Sequence, residues 1–199
     1  MPKRSKEYMA ARRNHILDAA LQCYIDHGFD KMSLAEICAT AGISMGAFYK
    51  HFRTKHEVIL ALADRSLSEQ QLVFFPGLAA FRDYLVEIFL EFDTRRRCDA
   101  ARADLQLINL SFHDDSLRER ARKSLEQGEA HLYEAMKDLR QRGEIRADYD
   151  VRNGARILHL LLSGLVLTKV IDPSWSAGDA VPIVQAEIAR MAPEGSGLS

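Results

Sequence analysis

The sequence predicts an all-α protein, and three observations carry that expectation. Apolar residues recur at three- and four-residue spacing along most of the chain. No stretch of any length alternates as a half-buried strand does. No hairpin turn joins two strand-like runs.

The elements follow in order. Residues 8–27 read as a helix with Ile16, Ala20, Leu21 and Tyr24 on one stripe, ended by Gly28, with Phe29 folding back onto the stripe. Ser33 and Glu36 form a capping box for a second helix, whose apolar face is Leu34, Ile37, Cys38 and Ala41. Gly42 stops it, Ile43 anchors the turn, and Ser44 caps a third helix, SMGAFYKHF. Thr54 and Glu57 form a second capping box, opening a longer helix through Val58 and Leu62 towards Phe74, broken at Pro76-Gly77. Leu78, Phe81, Leu85, Ile88 and Phe92 mark the next helix, and Arg95-Arg96-Arg97 falls in or beside the loop after it. Ala101, Leu105, Ile108 and Phe112 mark another, ending near His113-Asp114-Asp115. Leu117, Ala121, Leu125, Gly128, Leu132, Met136 and Leu139 mark a long one, stopped at Gly143. The helix from about Arg152 to Ile171 is apolar nearly all round and ends at Asp172-Pro173. Asp179 is the expected cap of a last helix carrying Val181, Val184, Ile188 and Met191. The tail after Pro193 is expected to be frayed.

Composition bounds the class. The chain has 199 residues, enough for one domain or two small ones, and 47% of them are hydrophobic. Cys23, Cys38 and Cys98 contain no CxxC pair, which argues against a disulfide scaffold or a zinc module and fits a reducing cytoplasm. The N-terminal segment MPKRSKEYMAARR lacks the apolar core of a secretory signal. The longest apolar run, Ile157 to Thr168, has 12 residues, where a bilayer span needs about 20. No membrane partner is expected.

The net charge of −1 hides an asymmetry. Residues 1–55 carry nine basic and five acidic side chains, an excess of +4, and the remainder an excess of −5. A basic end on an acidic chain suggests contact with a polyanion. Residues 33–55 place two short capped helices about the turn Ala41-Gly42-Ile43-Ser44, a helix-turn-helix. Gly46 lets the backbone approach a groove, Tyr49 and Lys50 can reach a phosphate or a base edge, and Lys55 stands at the start of the following helix. Phe48 and Phe52, four apart, pack inward.

The run GFDKMSLAEICATAGISMGAFYKHFRTKHEVILAL resembles the DNA-binding region of TetR/AcrR transcriptional regulators. The resemblance rests on Gly28-Phe29, Ser33-Leu34, Ile37, Ala41-Gly42-Ile43-Ser44, Gly46, Phe48-Tyr49, His51-Phe52, Lys55 and Glu57. It implies about nine helices. Residues 1–55 would form a three-helix DNA-binding head, and residues 56–199 a helical ligand-binding and dimerisation domain. It implies a homodimeric repressor released by a small molecule from a roughly palindromic double-stranded operator. Carried over by position, Ser33, Ser44, Met45, Gly46, Ala47, Tyr49, Lys50, His51 and Lys55 face DNA. Met45 departs from the many members with a polar residue there, since a thioether offers only apolar contact, for example to a thymine methyl.

Beyond the head, Leu158, Leu161, Leu162, Leu165, Val184 and Ile188 are the expected dimer contacts, because the helix holding the first four is apolar on more than one side. An effector pocket could draw on Phe74, Tyr84, Ile88, Phe92, Phe112, Tyr133 and Met136. The interleaved polar groups are Gln71, Asn109, His113, His131 and His159. A bulky, mostly apolar effector is expected; for any one of these residues taken singly, plain core is the favoured reading. Asp83, Glu87 and Glu91 oppose an apolar stripe and read as a solvated face, not a metal site. No metal or cofactor is expected. No nucleophile elbow, Walker loop or HExxH marks an enzyme. The alternatives are a helix-turn-helix protein gated by a protein partner or by no ligand, and a small helical enzyme. The basic arm Lys3, Arg4 and Lys6 could touch DNA or be a free tail.

Overall fold

The computed structural model describes residues 6–69 and 72–195. Among them every regular element is helical: α1 Lys6–Lys31, α2 Leu34–Thr40, α3 Met45–Phe48, α4 Lys55–Glu69, α5 Leu78–Glu91, α6 Arg95–Ser111, α7 Asp115–Gln141, α8 Val151–Ile171 and α9 Val181–Met191, with a 3-10 turn at Ala177–Ala180. The chain packs as two compact units. The first combines residues 1–69 with 102–121, and the second combines 70–101 with 122–199. Helices α6 and α7 are each divided between the two.

The first unit is the N-terminal helices plus the end of α6 and the start of α7. Ile16, Ala20, Tyr24, Ile37, Phe48, Phe52, Val58, Ile59 and Leu62 form its core with Ala103 and Leu117. Tyr24 is fully buried, and its hydroxyl donates to the Ala103 carbonyl at 3.2 Å. Burial, with the Asp104 carboxylate nearby, pushes the phenol far above its ordinary pKa, so it is a neutral donor at any working pH. Gly28 interrupts α1 where the sequence expects the helix to end: its φ of 75° and ψ of 167° are non-helical, and the short stretch to Lys31 follows across a kink. Ser33 and Glu36 make the reciprocal capping box. At α4, Thr54 Oγ1 accepts the Glu57 N–H at 3.1 Å, but the Glu57 carboxylate accepts the Arg53 N–H at 2.7 Å instead of that of Thr54. The reach-back is one residue longer than in a capping box.

The second unit gathers α5, α8 and α9 with the rest of α6 and α7. Its core includes Phe81, Leu85, Phe89, Met136, Leu139, Ala155, Leu158, Val184 and Ile188. One buried cation ties three segments. Lys169 Nζ donates to Asp93 Oδ1 at 2.7 Å and to the carbonyls of Pro173 at 3.2 Å and Trp175 at 2.5 Å. Asp93 also accepts from the Ser176 hydroxyl and the Ala177 N–H. Burial alone would push the Asp93 carboxyl up, but the Lys169 ammonium and these hydrogen bonds outweigh it and hold the carboxyl below the usual carboxylate range.

Several expectations shift. Helix α4 ends at Glu69, and Leu72, Val73 and Phe74 lie in non-helical chain before Pro76. Arg95-Arg96-Arg97 is not loop but the first turn of α6, because Thr94 accepts the Arg97 N–H at its start. Ile108 and Phe112 are solvent-exposed, Phe112 by 64%, since Ala103, Leu107 and Leu110 take the core-facing side of α6. Leu125, expected on the buried stripe of α7, is also exposed. Asp179 caps nothing at α9. The 3-10 turn precedes that helix, Ser176 caps the turn, and Pro182 occupies the first turn of α9. The tail after Pro193 is described only to Gly195.

Helix α8, at 21 residues, is longer than the 12-residue apolar run and by length and composition alone could cross a membrane. Val151, Gly154, Ala155, Leu158, Leu165 and Lys169 are nevertheless buried within the unit.

Candidate nucleic-acid interface

The interface begins with a division of sides on the short third helix. Phe48 and Phe52 are buried, their rings 5.8 Å apart, and the Arg13 guanidinium covers Phe52 at 4.2 Å from the ring centroid. That burial fixes the rotation of the segment and turns Met45, Gly46, Tyr49 and Lys50 outward, all exposed. Ser44 and Ala47 lie at the rim. Ser44 Oγ accepts the Ala47 N–H at 3.2 Å, which starts the helix and leaves the hydroxyl proton pointing elsewhere. Gly42, with φ 59°, supplies the left-handed residue the turn requires.

Other candidates are committed within the unit. Ser33 donates its hydroxyl proton to Glu36 Oε2 at 2.9 Å, and the backbone and side-chain hydrogen bonds from Ser33 hold the Glu36 carboxyl below the usual range. Lys55 is half-buried. Its Nζ donates to the carbonyls of Phe29 at 2.5 Å and Met32 at 3.0 Å, and lies 4.0 Å from the centroid of the Phe29 ring. Two of its three protons therefore lock α4 to the α1–α2 corner. Sequence alone could not give this role, since Phe29 and Lys55 are 26 residues apart. His51 is half-buried. Lys3 and Arg4 of the basic arm lie outside the described residues.

The effector candidates are divided between the two units. Asn109, Phe112 and His113 belong to the first unit and are exposed. Phe74, Tyr84, Ile88, Phe92, His131, Tyr133, Met136 and His159 belong to the second. Phe92 and Met136 are core, Ile88 and Tyr133 pack against it, and Phe74 is exposed. Gln71 lies outside the described residues. His159 is notable: its Nε2 is buried with no hydrogen-bond partner, and its ring presses against Gly128 of α7, where a Cβ would stand 2.9 Å from Cε1. Burial pushes its imidazole pKa down, so the ring is neutral near pH 7. An open recess of about 500 Å³ is lined by Arg140, Ile145, Arg146, Asp148 and Pro193 among others, and none of the candidates lines it.

Of the expected dimer residues, Leu158, Leu165, Val184 and Ile188 are buried in the core of the second unit, whereas Leu161 and Leu162 are half-buried against it. The outward face of α8 instead carries Leu160 (62% exposed), Leu167 (49%) and Ile171 (73%), with Gly164 between them. The spacing 160, 164, 167, 171 was present in the sequence. An all-apolar helix hides it, because the pattern cannot say which stripe the core takes.

The model for bacterial regulatory proteins of the tetR family matches residues 16–62, and that for the C-terminal part of BetI-type transcriptional repressors matches residues 80–193. The chain belongs to the tetR family of bacterial regulatory proteins. It is a DNA-binding regulator of transcription and not an enzyme. It is similar to the HTH-type transcriptional repressor Rv1474c of Mycobacterium tuberculosis, 43% identical over 63 residues, a match covering 32% of this chain and only 34% of that relative. It is also similar to the HTH-type transcriptional repressor AcnR of Corynebacterium jeikeium, 27% identical over 203 residues, covering 94% of this chain and 97% of the relative. The fold is shared with SmeT of Stenotrophomonas maltophilia in its triclosan complex, with a TM-score of 0.71, 24% identity and 93% of each chain covered.

Proposed function

We propose that this tetR-family regulator is a homodimeric repressor that binds a roughly palindromic operator through residues 1–55 and is released by a small, largely apolar effector held within residues 56–199. The observation that carries the DNA reading is the two-sided segment formed by α3 and the turn after it, with Phe48 and Phe52 inward and Met45, Tyr49 and Lys50 outward. Met45, Gly46 and Ala47 approach base edges, Ser44, Tyr49, Lys50 and His51 address the backbone, and Ser33 and Lys55 hold the frame. A second copy covers the outward face of α8. Leu160, Leu167 and Ile171 expose large apolar side chains along one stripe, and Ile183 does so on α9. Paired heads read half-sites about 34–36 Å apart, or a multiple of that. The triclosan complex of the similarly folded SmeT supports an apolar effector. Release requires a coupling of about 1–3 kcal/mol, and it is reciprocal, so DNA weakens effector binding by the same factor. A reducing cytoplasm is the expected compartment.

The test is a selection from random oligonucleotides followed by salt titration of the enriched site. Lys50→Ala is expected to lower the salt slope by about one phosphate, whereas Lys55→Ala lowers the melting temperature of the first unit. Leu160→Arg is expected to leave the helical content intact, to sediment as a monomer and to lose the operator. A Leu160→Arg protein that binds as a monomer with unchanged affinity defeats the dimer reading.

A further inference from the structure

Between them, α2 and α3 carry a pair of sulfurs that a helix-turn-helix does not require. Cys38 of α2 directs its thiol at the Met45 thioether, Sγ to Sδ 3.3 Å. The two sulfurs differ in reactivity. Cys38 is buried, and burial pushes its thiol pKa up, so it stays protonated. The thiolate, not the thiol, is the form that attacks a peroxide, which makes Cys38 the inert member. A thioether needs no deprotonation to react. Access then decides among the methionines. Met32, Met136 and Met191 are buried and Met9 is half-buried, whereas Met45 is 37% exposed. Met45 is the one exposed methionine among the described residues, and it sits where α3 begins.

We propose that Met45 is a modification site at which a hydroperoxide converts the thioether to the sulfoxide and weakens operator binding. This rests on the reading that α3 faces DNA. A lone pair on Met45 Sδ attacks the outer oxygen of the hydroperoxide. The S–O bond forms as the O–O bond breaks, and the departing oxygen keeps the hydroperoxide proton and leaves as the alcohol, or as water from hydrogen peroxide. The sulfur loses two electrons and the peroxide gains them. The product replaces a soft apolar contact with a polar group whose oxygen only accepts hydrogen bonds. Against a thymine edge, which presents a methyl and an acceptor oxygen, it has no donor to accept from. The Cys38 thiol, already pointed at the sulfur, supplies the nearest donor and draws the side chain towards α2.

The experiment treats the full-length protein with hydrogen peroxide, locates the added oxygen by peptide mass spectrometry, and measures affinity for a site selected by the untreated protein. Oxygen is expected first on Met45, with affinity falling about tenfold or more, comparable to a lost base-pair contact. Methionine sulfoxide reductase should remove the oxygen and restore binding. Met45→Leu, compared with itself before and after peroxide, should show no change, while Met9→Leu should remain sensitive. Oxidation of Met9 or Cys38 ahead of Met45 overturns the proposal, as does full Met45 oxidation with unchanged affinity. A selection that enriches no site overturns the DNA-facing reading and the switch with it, while the mass measurement still reports which sulfur reacts first.

Discussion

The helix-turn-helix and the second packed unit differ in how far their ties are local. The caps of α2 and α3 join close neighbours in sequence: Ser33 with Glu36, and Ser44 with Ala47. In the second unit, two polar ties span whole helices. Lys169 reaches Asp93 across 76 residues, and the Tyr149 hydroxyl reaches the buried Glu187 across 38. A local tie is readable as a motif because the residues that make it must stand at fixed spacing. A distant tie is not, because any polar residue on the right face could make it.

Substitutions can sharpen that contrast, beginning with the largest effect. Phe48→Ala removes a fully buried ring from a small core and is expected to cost about 3–5 kcal/mol in denaturant unfolding. If the loss is below 1 kcal/mol, the rotation of α3 is not fixed by that ring.

Lys169→Met is next, at about 1–3 kcal/mol, because it removes the donor shared by the Asp93 carboxylate and two carbonyls. This pair also sets a pH dependence. The Asp93 carboxyl is held below its ordinary value, so its contribution is complete above about pH 4 and is lost as pH falls through the lower folded value. Acid unfolding followed by circular dichroism should therefore begin at higher pH in Lys169→Met than in the parent. Equal acid midpoints would show that the pair does not hold the 3-10 turn in place.

Gly28→Ala should cost about 1–3 kcal/mol, since φ 75° with ψ 167° is a region that an L side chain adopts only under strain. Space is not the obstacle, because the nearest atom to an added Cβ is the Gln106 side chain at 3.7 Å. A thermal shift no larger than that of an ordinary surface substitution would place the bend elsewhere. Ser33→Ala is the smallest, about 1 kcal/mol from the lost cap. Ser33→Thr should recover most of it, because its hydroxyl can still accept the Glu36 N–H and donate to the Glu36 carboxylate.

Sequence and structure part company at identifiable residues. The caps at Ser33 and Ser44 and the burial of Phe48 and Phe52 were legible, as was the helical nature of every described element. The reach of Glu57 to Arg53 was not, because it depends on the backbone entering α4 one residue early. Nor was Lys55, whose charge suits a phosphate by type but is engaged by two carbonyls and a ring. The exposed stripe of α8 was misassigned in the same way as Ile108 and Phe112 on α6. An apolar residue announces that it can be buried, not what will bury it.

The sequence by itself determined the all-α class, the caps of the helix-turn-helix and the inward turn of Phe48 and Phe52, because periodicity, caps and a glycine turn act within a few residues of one another. Only the tertiary structure decided which side of α8 remains free, which cation is locked into the frame, and which of two adjacent sulfurs is open to solvent. Those depend on burial, and burial is a property of the neighbours a residue acquires.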